Sequence, residues 1–148
     1  MADACLEALA GEIVDAAMKV HTRLGPGLLE SAYRGCLAYE LRKRGRQVKQ
    51  EVPVPLRYDE IVLDVGYRAD LVVAGLCVVE LKCVDKLLPV HTAQLLSYLK
   101  LGSFSLGFLL NFHTVHLRDG IKRVINSPRR ECHEAYLGLP PRPPRPPR

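Results

Sequence analysis

No two cysteines in this chain stand at the CxxC spacing of a zinc or redox site, and the five present are an odd number, which argues against a disulfide framework. Cys77 and Cys83 fall among strand-like apolar residues and read as small hydrophobes. No stretch reaches the roughly 18 uncharged apolar residues of a membrane span. The N-terminus has no basic segment followed by an apolar one, so no signal peptide is expected. A reduced, cytoplasmic setting without a membrane partner follows as the expectation. No internal repeat is visible. A surplus of one charge is also lacking over most of the chain. Net charge is +5, but residues 127–148 hold five Arg against two Glu, which leaves residues 1–126 nearly balanced. Any polyanion would therefore have to meet a local patch.

What is present suits one compact domain: 148 residues with 48% apolar content. The domain is expected over 1–126, with 127–148 as a C-terminal extension. Helical spacing of Leu6, Leu9, Ala10, Ile13, Val14, Ala17, Val20 and Leu24 predicts a packing helix over 3–24, with His21 at its surface end. Gly25-Pro26-Gly27 stops it. A second helix is predicted over 28–44, buried along Leu29, Ala32, Tyr33, Cys36, Leu37 and Leu41. The Arg42-Lys43-Arg44-Gly45-Arg46 run reads as a solvated helix end, with contact to a phosphate backbone as the second reading. Strands are predicted over 48–56, 61–73 (interrupted at Gly66) and 76–84. A helix over 90–101 follows Pro89, then an apolar strand over 104–112 and a last strand or short hairpin over 115–126. A weak helix over 129–137 and an extended polyproline tail of Pro-Pro-Arg triplets close the chain. The element order is αα-βββ-α-ββ, an α/β class with a small mixed sheet of about four to five strands flanked by helices.

The chain is organised around the segment from Tyr67 to Cys83, which reads as a hairpin turning at Ala74-Gly75. Three charges interrupt its apolar runs: Asp70, Glu80 and Lys82. Glu80 and Lys82 are two apart and share a strand face. Whether Asp70 joins them depends on the loop. A two-residue loop turns it away, whereas a three-residue loop ending at Gly75 brings it to the same face as Glu80. The odd-length turn is the expectation. Two carboxylates within reach of one point make a hard oxygen site for Mg2+ or Mn2+, to which the Leu81 carbonyl can add a ligand. A salt-bridged, solvated strand face is the plainer alternative. Glu30, near the start of the second helix, is either a first-turn acid favoured by the helix dipole or a third acid aimed at the cluster. Gln94 and Tyr98, four apart on the third helix, form either a solvent-edge pair or a polar ridge over the cluster.

Gly27-Leu28-Leu29-Glu30-Ser31-Ala32-Tyr33, Tyr67-Arg68-Ala69-Asp70, Val79-Glu80-Leu81-Lys82, Gln94 with Tyr98, Asn111-Phe112 and the run from Gly120 to Asn126 stand in one order. In these motifs, over about residues 8–126, the chain resembles the GxxExxY protein family, a branch of the PD-(D/E)XK nuclease-like superfamily. The resemblance implies a restriction-endonuclease-like core. It implies a site in which Asp70 and Glu80 bind Mg2+, Lys82 serves the attacking water and Glu30 completes the acid set. Gln94 and Tyr98 resemble the Q-x-x-x-Y motif of RecB-like nucleases.

Two functions are consistent with this pattern. One is a metal-dependent nuclease leaving 5′-phosphate ends, acting on nucleic acid, DNA ahead of RNA. The other is a non-catalytic module that binds nucleic acid or protein on the same fold. A domain this small leaves room for a second copy to enclose a strand, so a homo-oligomer is one option, and no interface is identifiable in the sequence.

Overall fold

In a computed structural model of the chain, residues 2–126 are described. The helix expected over 129–137 and the Pro/Arg tail lie outside them. Helix α1 (Ala2–Leu24) buries Leu9, Ile13, Ala16, Ala17 and Val20, a stripe at three- to four-residue spacing, as its periodicity predicts. Gly25 and Gly27 end it with φ of 68° and 105°, values that glycine adopts without steric cost.

Helix α2 (Glu30–Lys43) packs along Tyr33, Leu37, Ala38 and Leu41. Its buried stripe is turned relative to the expected one. Leu29 is 77% exposed, and Ala32 and Cys36 also face solvent. The cause is Tyr33. Its buried ring stacks on Phe112 with centroids 4.5 Å apart. Its hydroxyl donates to the Gly25 carbonyl and accepts from the Leu28 N–H at 3.1 Å. One side chain thus fixes both the phase of α2 and the loop that leads into Glu30. The basic run after α2 is largely tied up locally. Arg42 donates to the Val48 carbonyl, and Arg44 and Arg46 pair with Asp15 and Glu12 of α1. This fits a helix end and leaves few free charges for a phosphate backbone.

The strands are β1 (Val48–Pro53), β2 (Leu56–Tyr58), β3 (Ile61–Leu63), β4 (Arg68–Val73), β5 (Cys77–Lys82), β6 (Leu106–Asn111) and β7 (Ile121–Ile125). Five form one mixed sheet in the order β1-β4-β5-β6-β7, within the expected range. All its neighbours are antiparallel except β5 and β6, which are parallel. A parallel pair needs a crossover, and helix α3 (Pro89–Gly102) supplies it. The two long strands expected over 48–56 and 61–73 are each cut. Pro53 and Pro55 lack the N–H that would continue β1, and Gly66 at φ 85° breaks the second run. The freed residues pair as β2 and β3, a separate two-stranded arm turning at Asp59. Before β7 lies a short 3-10 turn, Leu117–Gly120, rather than a hairpin.

The sheet divides two cores. On one face α1 and α2 cover Leu71, Val73, Val79, Leu81, Phe108 and Leu110. On the other, Leu95, Tyr98 and Leu99 of α3 cover Val72, Val78 and Leu109. Cys77 is fully buried and behaves as a hydrophobe, its thiol pushed up to about 12 by burial. His21 departs from the surface role expected of it. It is only 7% exposed, and its Nε2 bonds the Thr114 carbonyl at 2.8 Å, tying α1 to the loop after β6. Among the described residues, no helix is long and apolar enough to cross a membrane.

The Tyr33 hydroxyl yields a test of this account. Tyr33→Phe keeps the ring stack but strands a carbonyl and an N–H in the loop. It should destabilise the fold by about 1–2 kcal/mol in urea titration, whereas Tyr33→Ala should cost about 3–5 kcal/mol.

Candidate active site

The turn between β4 and β5 has the expected odd length, but its three residues are Ala74, Gly75 and Leu76, so Gly75 is central rather than last. Ala74 and Gly75 take φ of 55° and 66°, the positive pair of a type I′ turn, and the Leu76 N–H donates to the Val73 carbonyl at 3.0 Å. The resulting register pairs Leu71 with Val79. One step further, Asp70 comes opposite Glu80.

At that step the ladder stops, and side chains take over from backbone. The Asp70 N–H donates to Glu80 Oε1 at 3.0 Å. The Leu81 N–H donates to Asp70 Oδ2 at 2.9 Å. Each carboxylate thus satisfies an amide of the opposing strand across the gap. On the other side of β4 the pairing with β1 skips Glu51, opposite Asp70, and Glu51 has φ 50°. The Lys82 carbonyl accepts from the Phe112 N–H on the β6 side. Successive carbonyls of a strand alternate in direction, so the Leu81 carbonyl points to the β4 side, into the same gap.

The remaining expected residues close around this pair. Lys82 donates to Gln94 Oε1 at 3.4 Å, and the Gln94 amide donates to the Tyr98 hydroxyl at 3.3 Å. Gln94 and Tyr98 therefore form the polar ridge over the sheet, not a detached solvent edge. Glu30 is the first residue of α2, so it meets the helix dipole, and it also lies within the field of the cluster. Burial raises its pKa, the Asp70 charge raises it further, and Lys82 and Arg34 oppose both.

Arg34 was not a sequence candidate. Its guanidinium lies 3.7 Å from Asp70 Oδ1 and 3.3 Å from Glu51, and its Nε is buried without a hydrogen-bond partner. The available signal was its position, one turn after Glu30 on the same helix face. Asn111 enters the sequence pattern only through the Asn111-Phe112 motif. It is buried, its amide donates to the Val84 carbonyl, and its Oδ1 accepts from the N–H groups of Val84 and His113. It fastens the chain just beyond Lys82.

Glu80 is 5% exposed, and its pKa is pushed up to about 8, first by burial and then by the Asp70 charge. Tyr98 is also raised, by burial and then by Glu80. Two carboxylates crowded so that one retains a proton form a donor set that a divalent cation relieves. Hard oxygen donors suit Mg2+ or Mn2+, which use one or two carboxylates and complete their shell with water and substrate oxygens. Asp70, Glu80 and the Leu81 carbonyl fit that pattern. Among the described residues, no group of three or more His, Cys, Asp or Glu is placed to hold a metal ion, so Glu30 approaches the pair without closing a cage.

A pH dependence follows for the metal-free protein. Glu80 binds its proton more tightly folded than unfolded, so its contribution is whole below about pH 4.5 and is lost as pH rises through about 8. The Asp70 charge adds to the loss and Lys82 lessens it. Thermal melts in EDTA should show stability falling by a few kcal/mol, to order of magnitude, from pH 5 to pH 9. Glu80→Gln should flatten that fall.

The likeness to known proteins agrees with this geometry. No curated protein and no solved structure matches the chain. The profile of the PD-(D/E)XK nuclease superfamily, however, matches residues 7–124. That match takes in α1 from Glu7 onward, α2, the whole sheet but for the last residue of β7, and every residue of the cluster. By that extent, the chain belongs to the PD-(D/E)XK nuclease superfamily.

Proposed function

We propose that the protein is a metal-dependent nuclease that hydrolyses phosphodiester bonds of nucleic acid, with DNA the favoured substrate. The observation that carries this reading is the Asp70–Glu80 pair, held at the mouth of two parting strands, where burial and then the Asp70 charge keep the Glu80 carboxyl well above the usual carboxylate range. A fold that only bound phosphates would gain nothing from carboxylates there, because like charges repel.

Asp70, Glu80 and the Leu81 carbonyl would hold Mg2+ or Mn2+, with Glu30 beside them. A bound divalent ion lowers the pKa of water and neutralises charge on a phosphate. The chain's own groups do the rest. Lys82, its ammonium held by Gln94, orients the water for attack on phosphorus and offers positive charge to the phosphate. Gln94 fixes that lysine, and Tyr98 anchors Gln94 from a buried position on α3. Arg34 holds the Asp70 carboxylate in place and balances its charge. Attack forms a bond from water oxygen to phosphorus and breaks the bond to the leaving 3′ oxygen, so the products are a 3′-hydroxyl and a 5′-phosphate.

The test is cleavage of single- and double-stranded DNA and RNA with Mg2+, Mn2+ or EDTA. Activity should need the metal and fall by about 100-fold or more in Lys82→Ala and in Glu80→Ala. Cleavage by both variants as strong as that of the wild type would identify a contaminant and sink the assignment. Binding without cleavage under every metal would favour a non-catalytic module.

A further inference from the structure

Beside the acids lies a cavity of about 330 Å³ that the nuclease reading does not use. It is lined by Leu56, Tyr67, Gln94, Ser97, Tyr98 and Leu101. We propose that it is a stacking pocket for one unpaired nucleobase, so that substrate reaches the acids as a single strand or a frayed end. This deepens the nuclease reading and rests on it for the identity of the neighbouring phosphate site.

Four observations carry the inference. The first is Tyr67. It stands three residues before Asp70 and is 44% exposed, a large aromatic ring in water next to a polar cluster. Its ring centroid lies 6.0 Å from that of the buried Tyr98, tilted by 46°, so Tyr98 backs a wall whose open face is Tyr67. Such faces bind any base, because every base has a π surface. The second is continuity with the acids. Gln94 and Tyr98 line the cavity and are also the ridge that holds Lys82, so a phosphate at the acids and a base in the cavity belong to one nucleotide strand. The third is the balance of the lining. Leu56 and Leu101 supply apolar surface. The exposed Gln94 side chain supplies both donor and acceptor, and the Ser97 hydroxyl, which donates to the Ala93 carbonyl, keeps its oxygen free to accept. An amide and a hydroxyl accept the edge of any base without choosing one. The fourth is size. The cavity is at the small end of ligand sites, with room for one planar heterocycle.

A base inside a duplex cannot use this wall. Its faces are covered by its neighbours, and it must leave the stack to present one. The pocket therefore discriminates by strandedness rather than by sequence.

The experiment uses the full chain in EDTA, where binding is read without turnover. The probes are a short fluorescein-labelled single strand, the same strand carrying 2-aminopurine, and a duplex of the same sequence. The single strand should bind more tightly than the duplex, and 2-aminopurine emission should be quenched on binding. Tyr67→Ala should weaken single-strand binding roughly ten-fold, with duplex binding unchanged. Tyr67→Trp keeps a stacking face and should retain the affinity. Ser97→Phe, made from an exposed helix position, fills the cavity and should weaken single-strand binding comparably even if Tyr67→Ala fails to fold. Wild-type affinity for the single strand in both Tyr67→Ala and Ser97→Phe would overturn the proposal. So would an equal loss for duplex and single strand, or no binding of either nucleic acid by the wild type. The two readings fail separately. A chain that stacks bases but never cuts with Mg2+ or Mn2+ loses the nuclease assignment alone. A chain that cuts but is indifferent to Tyr67→Ala and Ser97→Phe loses the pocket alone.

Discussion

The structure depends on two crossed hydrogen bonds at the point where β4 and β5 part. There the Asp70 carboxylate accepts from the Leu81 amide, and the Glu80 carboxylate accepts from the Asp70 amide. A splayed strand pair normally leaves buried N–H groups without partners, at a cost of about 1–3 kcal/mol each. Here the acids fill that role. The same two bonds fix the carboxylates to backbone, so their spacing is set by the sheet rather than by side-chain rotamers. What is gained in placement is lost in charge: two acids in one low-dielectric gap do not both ionise readily. Lys82 and Arg34 lessen that conflict from opposite sides.

The layers around the sheet deliver the other groups to this gap. α2 is locked in phase by the Tyr33 ring on Phe112 and by the Tyr33 hydroxyl on the Gly25–Leu28 loop. That lock places Glu30 and Arg34 on the same side of the helix, toward Asp70. α3 is the crossover between the parallel strands β5 and β6, and its burial along Leu95 and Leu99 turns Gln94 and Tyr98 toward Lys82. The spacing of glycine, glutamate and tyrosine around the start of α2 thus has a structural reason: the tyrosine holds the loop that aims the glutamate.

Much of this was legible in the sequence. The parity of the β4–β5 turn followed from counting residues, because a strand has a period of two and one residue decides every face. The helix positions of Gln94 and Tyr98 followed from their spacing. Other features depended on contacts between distant segments. The phase of α2 is ambiguous in the sequence because Leu29, Ala32 and Cys36 extend as good an apolar stripe on paper, and the Tyr33–Phe112 stack selects the observed one. His21 looked like a surface group because its partner, the Thr114 carbonyl, is 93 residues away. Arg34 gives little signal in the sequence, because an arginine on a helix is usually solvated and its two acid partners lie on different strands. Gly66 reads on paper as an interruption within one long strand, whereas with Pro53 and Pro55 it detaches a separate arm.

That arm has its own thermodynamics. Every residue paired between β2 and β3 is exposed except Leu56, which is half-buried. A lone two-stranded ribbon is marginally stable in water. It can therefore open at a free energy far below that of global unfolding, without disturbing either core. Yet Leu56, at its root, is also a wall of the cavity beside Tyr67. The breathing of a peripheral ribbon is in this way coupled to the width of a cleft next to the acids, and ribbons of different sequence would retune that cleft while leaving the rest of the domain untouched.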